Sequence, residues 1–408
     1  MSAGKAMQLV LNAGSSSIKY ALYQTSVVAG RPSWTRLVQG LAEGIGTGDQ
    51  CRIKHVSGEG KVVHQVHLPS HDVALKSVID LLPKGCCDEI NSVGHRVAHG
   101  GEGFSQATVV DVRVRKAIQE AAVLAPLHNP FNLLGIDVAA QLFGAECPQV
   151  AVFDTAFHQT IPPEAYMYAI PRELYEKHAI RRYGFHGTSY LYVLGETAKA
   201  MHRQVEDLNL IVCHIGNGAS MVAIKNGQSV DTTMGLTPLE GLVMGTRCGD
   251  LDPAVPLHLQ SLGYSPQEVN DLLNKQSGLL GMCGTMDDRD VENRYFEQEP
   301  RGTLAKKVQV HRMRKYLGAY IVALGGKVDA VVFTGGLGEN SWLLRSLVCE
   351  GLEELGLQVD ETRNRANEGR FSKNTEVHVD GGKTQILVIP TDEELSIAQQ
   401  THALLNLS

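Results

Sequence analysis

The sequence predicts an α/β protein built from two related domains. Short apolar runs rich in strand formers alternate along the chain with segments whose apolar residues recur at helical spacing. Each half opens on a strand, a glycine turn and a second strand. Leu9 to Ile18 aligns with Ile211 to Ser220 at an offset of 202 residues (216 − 14), so that Gly14 falls on Gly216. That offset is close to half of the 408 residues, which points to an internal duplication.

The elements follow in order. Gln8 to Asn12 is a strand, Gly14 to Ser17 a turn, and Ile18 to Tyr23 a strand that completes a hairpin. Lys61 to Leu68 is a further strand. Val73, Leu75, Val78, Ile79 and Leu82 mark a helix that Pro83 ends. Val114 to Leu124 is helical up to Pro126, and Leu133 to Phe143 is a second helix. Val150 to Phe153 is a short buried strand ending at Asp154. In the second half, Leu208 to Cys213 and Ala219 to Ile224 flank the turn Gly216-Asn217-Gly218. His311 to Val322 is a long helix, and Ala330 to Thr334 is a buried strand running into a third glycine turn, Gly335 to Asn340. Ile386 to Pro390 is the last strand and Glu393 to Leu405 the last helix. The expected division is residues 1–156 plus 390–408 as one domain and 157–389 as the other.

Composition narrows the function classes. At roughly 150 residues per domain, the length suits two or three domains. A net charge of −7 (37 − 44), with no long basic run, argues against nucleic-acid and anionic-membrane partners. No apolar stretch nears the roughly 18 residues that span a bilayer. The eight cysteines form no Cys-x-x-Cys pair and read as reduced thiols, and the strand from Gln8 leaves no room for a targeting segment. A cytoplasmic protein is expected.

Glycine lets backbone N–H groups approach a ligand, and consecutive N–H groups form an anion nest. Three glycine turns after three apolar strands therefore suit a polyphosphate, although any one of them also reads as a plain tight turn. The chain has neither Gly-x4-Gly-Lys-Ser/Thr nor Gly-x-Gly-x-x-Gly, which excludes a P-loop and a standard dinucleotide site. Polar residues cluster beside the turns. Arg96 and Arg247 stand between glycines, and a guanidinium offers a bidentate fork to a carboxylate or phosphate. His128 and His186 sit in Pro- or Gly-bearing turns. Asp154 stands at a strand end, where it reads as a cap or as a ligand contact.

Long segments closely resemble the acetate kinase family. They are Val10-Leu-Asn-Ala-Gly-Ser-Ser-Ser-Ile-Lys19, Gly94-His-Arg-Val-Ala-His-Gly-Gly-Glu102, Ala125-Pro-Leu-His-Asn-Pro130 and Val152-Phe-Asp-Thr-Ala-Phe-His158. Arg182-Tyr-Gly-Phe-His-Gly-Thr-Ser189, Gly235-Leu-Thr-Pro-Leu-Glu-Gly241, Met244-Gly-Thr-Arg247, Phe333-Thr-Gly-Gly-Leu-Gly-Glu-Asn340 and Pro390-Thr-Asp-Glu-Glu394 continue the match in the family's order. The resemblance implies two duplicated ribonuclease-H-like domains, as in sugar kinases, actin and the heat-shock chaperones. It places the active site between them, the last helix on the first domain, and the chain in a homodimer.

The reaction it implies is reversible transfer of the ATP γ-phosphoryl group to acetate, giving acetyl phosphate and ADP, with magnesium or alternatively manganese. By the same resemblance Arg96 holds the substrate carboxylate, and Ala98, Leu127, Phe185 and Pro238 line its methyl pocket. Arg247, His186 and His128 serve the transferring group, and Asp154 is an essential acid expected to orient Arg96 or a metal-bound water. Asn12 and Glu393 match metal positions. Lys19, Asn217 and Gly218 are expected to contact the ATP phosphates and Asp287, Arg289, Gly336 and Asn340 to border the adenosine, with His214 and Gly338 as further nucleotide-binding residues. The sequence departs from the family at Ala98, often Val; at Tyr190, usually His; at Cys248, usually Ser; and at Asp288, often apolar. Ala98 leaves room for about one more methylene, so propionate kinase on the same mechanism is an alternative. Asp288 is expected either to weaken nucleotide binding or to face solvent. A non-catalytic ATP-dependent switch is the reading from another class.

Overall fold

The computed structural model describes residues 6–28, 31–48, 51–126, 128–366 and 373–405. Its contacts divide the chain into two units, Met1–Ala156 with Asp392–Ser408, and Phe157–Thr391.

The first unit carries an eight-stranded sheet. Its strands are β1 (Ala6–Ala13), β2 (Ser17–Val28), β3 (Arg31–Glu43), β4 (Arg52–Ser57), β5 (Gly60–Gln65), β6 (Ile90–Val97), β7 (Thr108–Val109) and β8 (Gln149–Phe153). The spatial order is β5-β4-β3-β2-β1-β6-β8-β7. β1 to β5 form an antiparallel meander, whereas β1, β6 and β8 run parallel. β1 and β8 are apolar at nearly every position because both sheet faces are covered. The helices His71–Asp80 and Asn129–Phe143 and the last helix, Glu393–Leu405, pack on this sheet.

The second unit repeats the scheme. Its strands are β9 (Leu210–Ile215), β10 (Ala219–Lys225), β11 (Gln228–Thr232), β12 (Ala330–Thr334), β13 (Thr375–Glu376) and β14 (Gln385–Val388), in the order β11-β10-β9-β12-β14-β13. β11, β10 and β9 are antiparallel, and β9, β12 and β14 are parallel. The run β3-β2-β1-β6-β8 in one sheet thus has the order and directions of β11-β10-β9-β12-β14 in the other. Gly14 donates to Ser17 O at 2.8 Å in one hairpin and Gly216 to Gly218 O at 3.1 Å in the other.

Several elements differ from the sequence reading. Gly335–Asn340 is a one-turn helix rather than a plain turn, because the Glu339 carboxylate accepts from the Gly335 N–H at 2.9 Å. Gly335 itself has φ +77°, and a Cβ there would lie 2.9 Å from Ile215 O, so glycine is required. The helix expected from His311 begins at Pro300, where the Glu299 side chain accepts from the N–H groups of Arg301 and Gly302. The helix expected from Leu133 begins at Asn129, with a proline in its first turn. β3 and β4 were not anticipated: their exposed positions interrupt the apolar pattern.

Candidate active site

In the first unit the site is built at the carboxyl ends of the three parallel strands, where α/β sheets meet their ligands. Arg96, next to last on β6, lies between Asn12 on β1 and Asp154 just beyond β8. Its Nε donates to Asp154 Oδ1 at 3.2 Å and Oδ2 at 3.1 Å, and its Nη2 donates to Oδ2 at 2.6 Å. Nη1 donates to Asn12 Oδ1 at 3.3 Å. A guanidinium has five N–H bonds. One remains on each terminal nitrogen, which is the fork a carboxylate requires. Burial opposes the charge on Arg96, but Asp154 outweighs it and raises the pKa, so the clamp stays cationic.

Glu393 opens the last helix beside this pair. Burial raises its carboxyl pKa; Arg96 opposes the rise and Asp154 adds to it by repulsion. Lys19, on β2, pairs with Glu394 at 2.6 Å. Ala98 is buried, and its N–H donates to Asn132 Oδ1 at 3.0 Å. Asn129 braces the next residue, accepting from His99 N at 3.1 Å and donating to His99 O at 2.9 Å. These two asparagines shape the loop after Arg96. The sequence reading missed them, since Asn129 looked like part of a rigid turn. His128 is the N-cap residue of the helix Asn129–Phe143. Leu127 lies outside the described residues.

The second unit gathers the remaining residues. His186 has φ +59°, unusual for a residue with a side chain, and it immediately precedes the helix Gly187–Ala200. Its ring stacks on that of His214 with centroids 4.2 Å apart. His186 Nδ1 is 2.8 Å from Ser220 Oγ, and Ser220 Oγ also meets the Tyr190 hydroxyl. Tyr190 is fully buried and its pKa is pushed far up by burial, so it keeps its proton. The Ser220 hydroxyl bridges the Tyr190 hydroxyl and His186 Nδ1. The Tyr190 departure thus forms part of a relay that orients the histidine. A Cβ on Gly218 would stand 3.4 Å from His186 Nε2 and 3.6 Å from Arg247 Nη1, so the glycine leaves both groups room at one point. Arg247 Nη1 donates to Pro238 O at 3.1 Å, and the Cys248 thiol donates to Gly249 O at 3.1 Å. Phe185 is buried, and its carbonyl lies 2.9 Å from His158 Nε2.

A cavity of about 880 Å³ in this unit is lined by Asn217, Asp287, Arg289, Gly336 and Asn340, all expected from the sequence. That volume is in the range of small-molecule sites. Gly338 is not among the lining residues; it is buried, and a Cβ on it would lie 3.4 Å from Cys213 O. His214 is not among them either. Of the two expectations for Asp288, the solvent-facing one fails. Its carboxylate lines the cavity and accepts from Lys306 Nζ at 2.6 Å and from Gln309 Nε2 at 2.7 Å. Glu292, Gln309 and Ser341 also line the cavity and were missed, because nothing in the local sequence shows that two successive helices aim polar side chains at one space.

Among the described residues no group of three or more His, Cys, Asp or Glu side chains is placed to hold a metal, and no helix is long and apolar enough to cross a membrane. The Acetokinase family model matches residues 7–399. The acetate kinase of Alkaliphilus metalliredigens is 49% identical over 406 residues, covering 97% of this chain and 99% of that one. The crystal structure of Porphyromonas gingivalis acetate kinase matches with a TM-score of 0.89 at 40% identity, covering 98% of this chain and all (100%) of that one. A propionate kinase from Francisella tularensis subsp. tularensis gives 0.89 at 41% identity, covering 98% and 99%. The two mixed sheets are the duplicated ribonuclease-H-like fold expected from the sequence. The protein is a kinase by descent and architecture, and the chain belongs to the acetokinase family.

Proposed function

We propose that this protein is a reversible acetate kinase that transfers the γ-phosphoryl group of ATP to acetate. The observation that carries this reading is the Arg96 fork, partly buried, held by Asp154 and Asn12, and left with one N–H on each terminal nitrogen. A non-catalytic switch has no use for such a carboxylate clamp.

A carboxylate is already an anionic nucleophile at neutral pH, so no strong base is needed. One acetate oxygen attacks the γ-phosphorus, the bond from that phosphorus to the β–γ bridging oxygen breaks, and ADP leaves with the bond's electrons. The protein must align two anions and offset charge on the transferring group. Arg96 holds the acetate and Asp154 orients Arg96. Both Asp154 oxygens accept from that guanidinium, which supports an orienting role over proton abstraction. His186 and Arg247 serve the transferring phosphoryl oxygens, with His128 as a further donor. Lys19, Asn217 and Gly218 serve the phosphates, and Asp287, Arg289, Gly336 and Asn340 the nucleoside.

Asn12 and Glu393 fit a divalent cation. The repulsion of Asp154 on Glu393, and its raised pKa, leave a carboxylate that a cation would stabilise. A magnesium site needs few protein ligands beside phosphates and waters. Such a cation, magnesium or alternatively manganese, would supply charge neutralisation at the phosphates. Propionate is a second acceptor, favoured by the small, buried side chain of Ala98. Cytoplasmic location and a homodimer belong to the same reading; sedimentation velocity tests the latter, and a monomer at all concentrations refutes it.

The deciding experiment is acyl phosphate formation trapped with hydroxylamine, from MgATP and acetate or propionate. Product that depends on added carboxylate and disappears in Arg96→Ala is expected. ADP release at one rate with and without carboxylate would favour the switch.

A further inference from the structure

In the second unit a polar buckle ties the segment that carries Pro238 to the turn that carries Phe185. Arg182 opens the turn that leads into Phe185 and His186. Its Nη2 donates to Glu240 Oε1 at 2.6 Å, and its Nη1 is taken up by the carbonyls of residues 232–234, at the end of β11. Tyr168 follows the one-turn helix Pro163–Tyr166. Its hydroxyl donates to Glu240 Oε2 at 2.5 Å and accepts from the Leu236 N–H at 2.9 Å. A carboxylate only accepts and a phenol has one proton, so both roles of the hydroxyl are fixed. Backbone bonds join the same two turns: the N–H groups of Tyr183 and Gly184 donate to Gly235 O at 3.0 and 3.3 Å.

The packing at Gly235 leaves the buckle no slack. A Cβ on Gly235 would fall on Glu240 Oε2 and on the Tyr168 hydroxyl, so these two groups fill the space of its missing side chain. Burial raises the Tyr168 pKa and the charge of Glu240 adds to the rise, so the phenol keeps its proton. Burial opposes the charge on Arg182, but Glu240 outweighs it. The Arg182 side chain is 15% exposed and that of Glu240 32%. An ion pair buried to this extent adds little stability that apolar packing would not supply. A satisfied polar network does supply a single fixed geometry.

We propose that Tyr168, with Glu240 and Arg182, sets the acyl-chain length that the substrate pocket admits, by holding the Pro238 turn at a fixed distance from Phe185. Tyr168 is a positioning residue that acts through the Pro238 turn. The inference rests on the reading of Phe185 and Pro238 as walls of the acyl pocket. With the buckle closed the walls keep the spacing of a short acid; with it open the Pro238 turn yields and a longer chain enters. One methylene changes discrimination in an apolar pocket by about 10- to 200-fold, so a small yield of the turn is readable in the chain-length profile.

The test measures kcat/KM for acyl phosphate formation from MgATP with acetate, propionate and butyrate, in the unaltered protein, Tyr168→Phe and Glu240→Gln, and MgADP affinity by calorimetry. Tyr168→Phe keeps the ring and removes both the donor to Glu240 and the acceptor of Leu236. Its ratio of kcat/KM for butyrate to that for acetate rises at least about fivefold, mainly through KM, with MgADP affinity unchanged. Glu240→Gln keeps one acceptor oxygen and loses the charge. Its ratio rises in the same direction by less, and it stands in should Tyr168→Phe not fold. Each ratio is taken within one preparation, so a smaller folded fraction cancels and a merely structural role leaves it unmoved. An unchanged or reversed chain-length profile in the folded variants overturns the buckle and leaves the carboxylate kinase intact, as does an equal loss with all three acids. No acyl phosphate from any of the three acids in the unaltered protein overturns both readings.

Discussion

Arg96 shows how one residue acquires a function from its neighbours. Its sequence context marks it as a ligand-binding arginine, but only the two strands beside it supply the acceptors that point its fork. Asp154→Asn removes the charge and lets the fork turn. The expected loss in kcat/KM for acetate is about 10²-fold, with MgADP affinity unchanged, as measured by trapped acyl phosphate and calorimetry. Tyr190→Phe breaks the chain through Ser220 to His186; kcat falls about tenfold with KM for acetate little changed, the pattern of a positioning residue.

His95, beside Arg96, is 2% exposed and lies 2.7 Å through Nε2 from Gln149 Oε1. Burial pushes its pKa down from 6.5 to about 4. The unfolded chain therefore binds this proton more readily than the folded one. The histidine's contribution is fully present above pH ~6.5 and is lost as pH falls toward ~4, on the order of 3 kcal/mol in total. Chemical denaturation across that range should show the loss in the natural protein and a flatter profile in His95→Gln.

At the scale of elements, the strands of the parallel core were legible because burial on both faces makes them continuous apolar runs. β12 and the last helix have the bounds their patterns predict, Ala330–Thr334 and Glu393–Leu405. The glycine before His95 has a packing reason that the sequence hides. A Cβ at Gly94 would lie 2.6 Å from Thr401 Oγ1 and 2.7 Å from Ile397 Cγ2, both on the last helix. Gly94→Val is expected to destabilise the fold by about 1–3 kcal/mol through overpacking. Because Glu393 heads the displaced helix, the metal concentration needed for half-maximal activity should rise as well. Thermal unfolding and a magnesium titration check the two effects, and an unchanged magnesium titration would argue against the metal role of Glu393.

For the whole molecule, the duplicated topology assigns different tasks to equivalent places. The carboxyl ends of β1 and β6, and the loop after β8, carry the proposed carboxylate clamp, whereas in the second unit the turn after β9 and the helix after β12 line the cavity proposed for the nucleotide. Arg96→Ala should accordingly abolish acyl phosphate formation while MgADP affinity stays within about twofold, measured by calorimetry. A parallel loss of nucleotide binding would contradict that division.

The sequence by itself determined the α/β class, the duplication, the family and most of the polar residues of the site, because periodicity, glycine turns and long motifs are local properties of the chain. Tertiary structure alone decided how those residues are held. Asp288 reads locally as an intrusive charge, yet it is the counter-ion of Lys306, eighteen positions along the chain on another helix. Asn132 supports Ala98, Ser220 supports His186, and Gln309 is orphaned at one oxygen, all through contacts between segments far apart in sequence or through burial. Desolvation and hydrogen bonding depend on what folding brings within a few ångströms, and no local pattern encodes that distance.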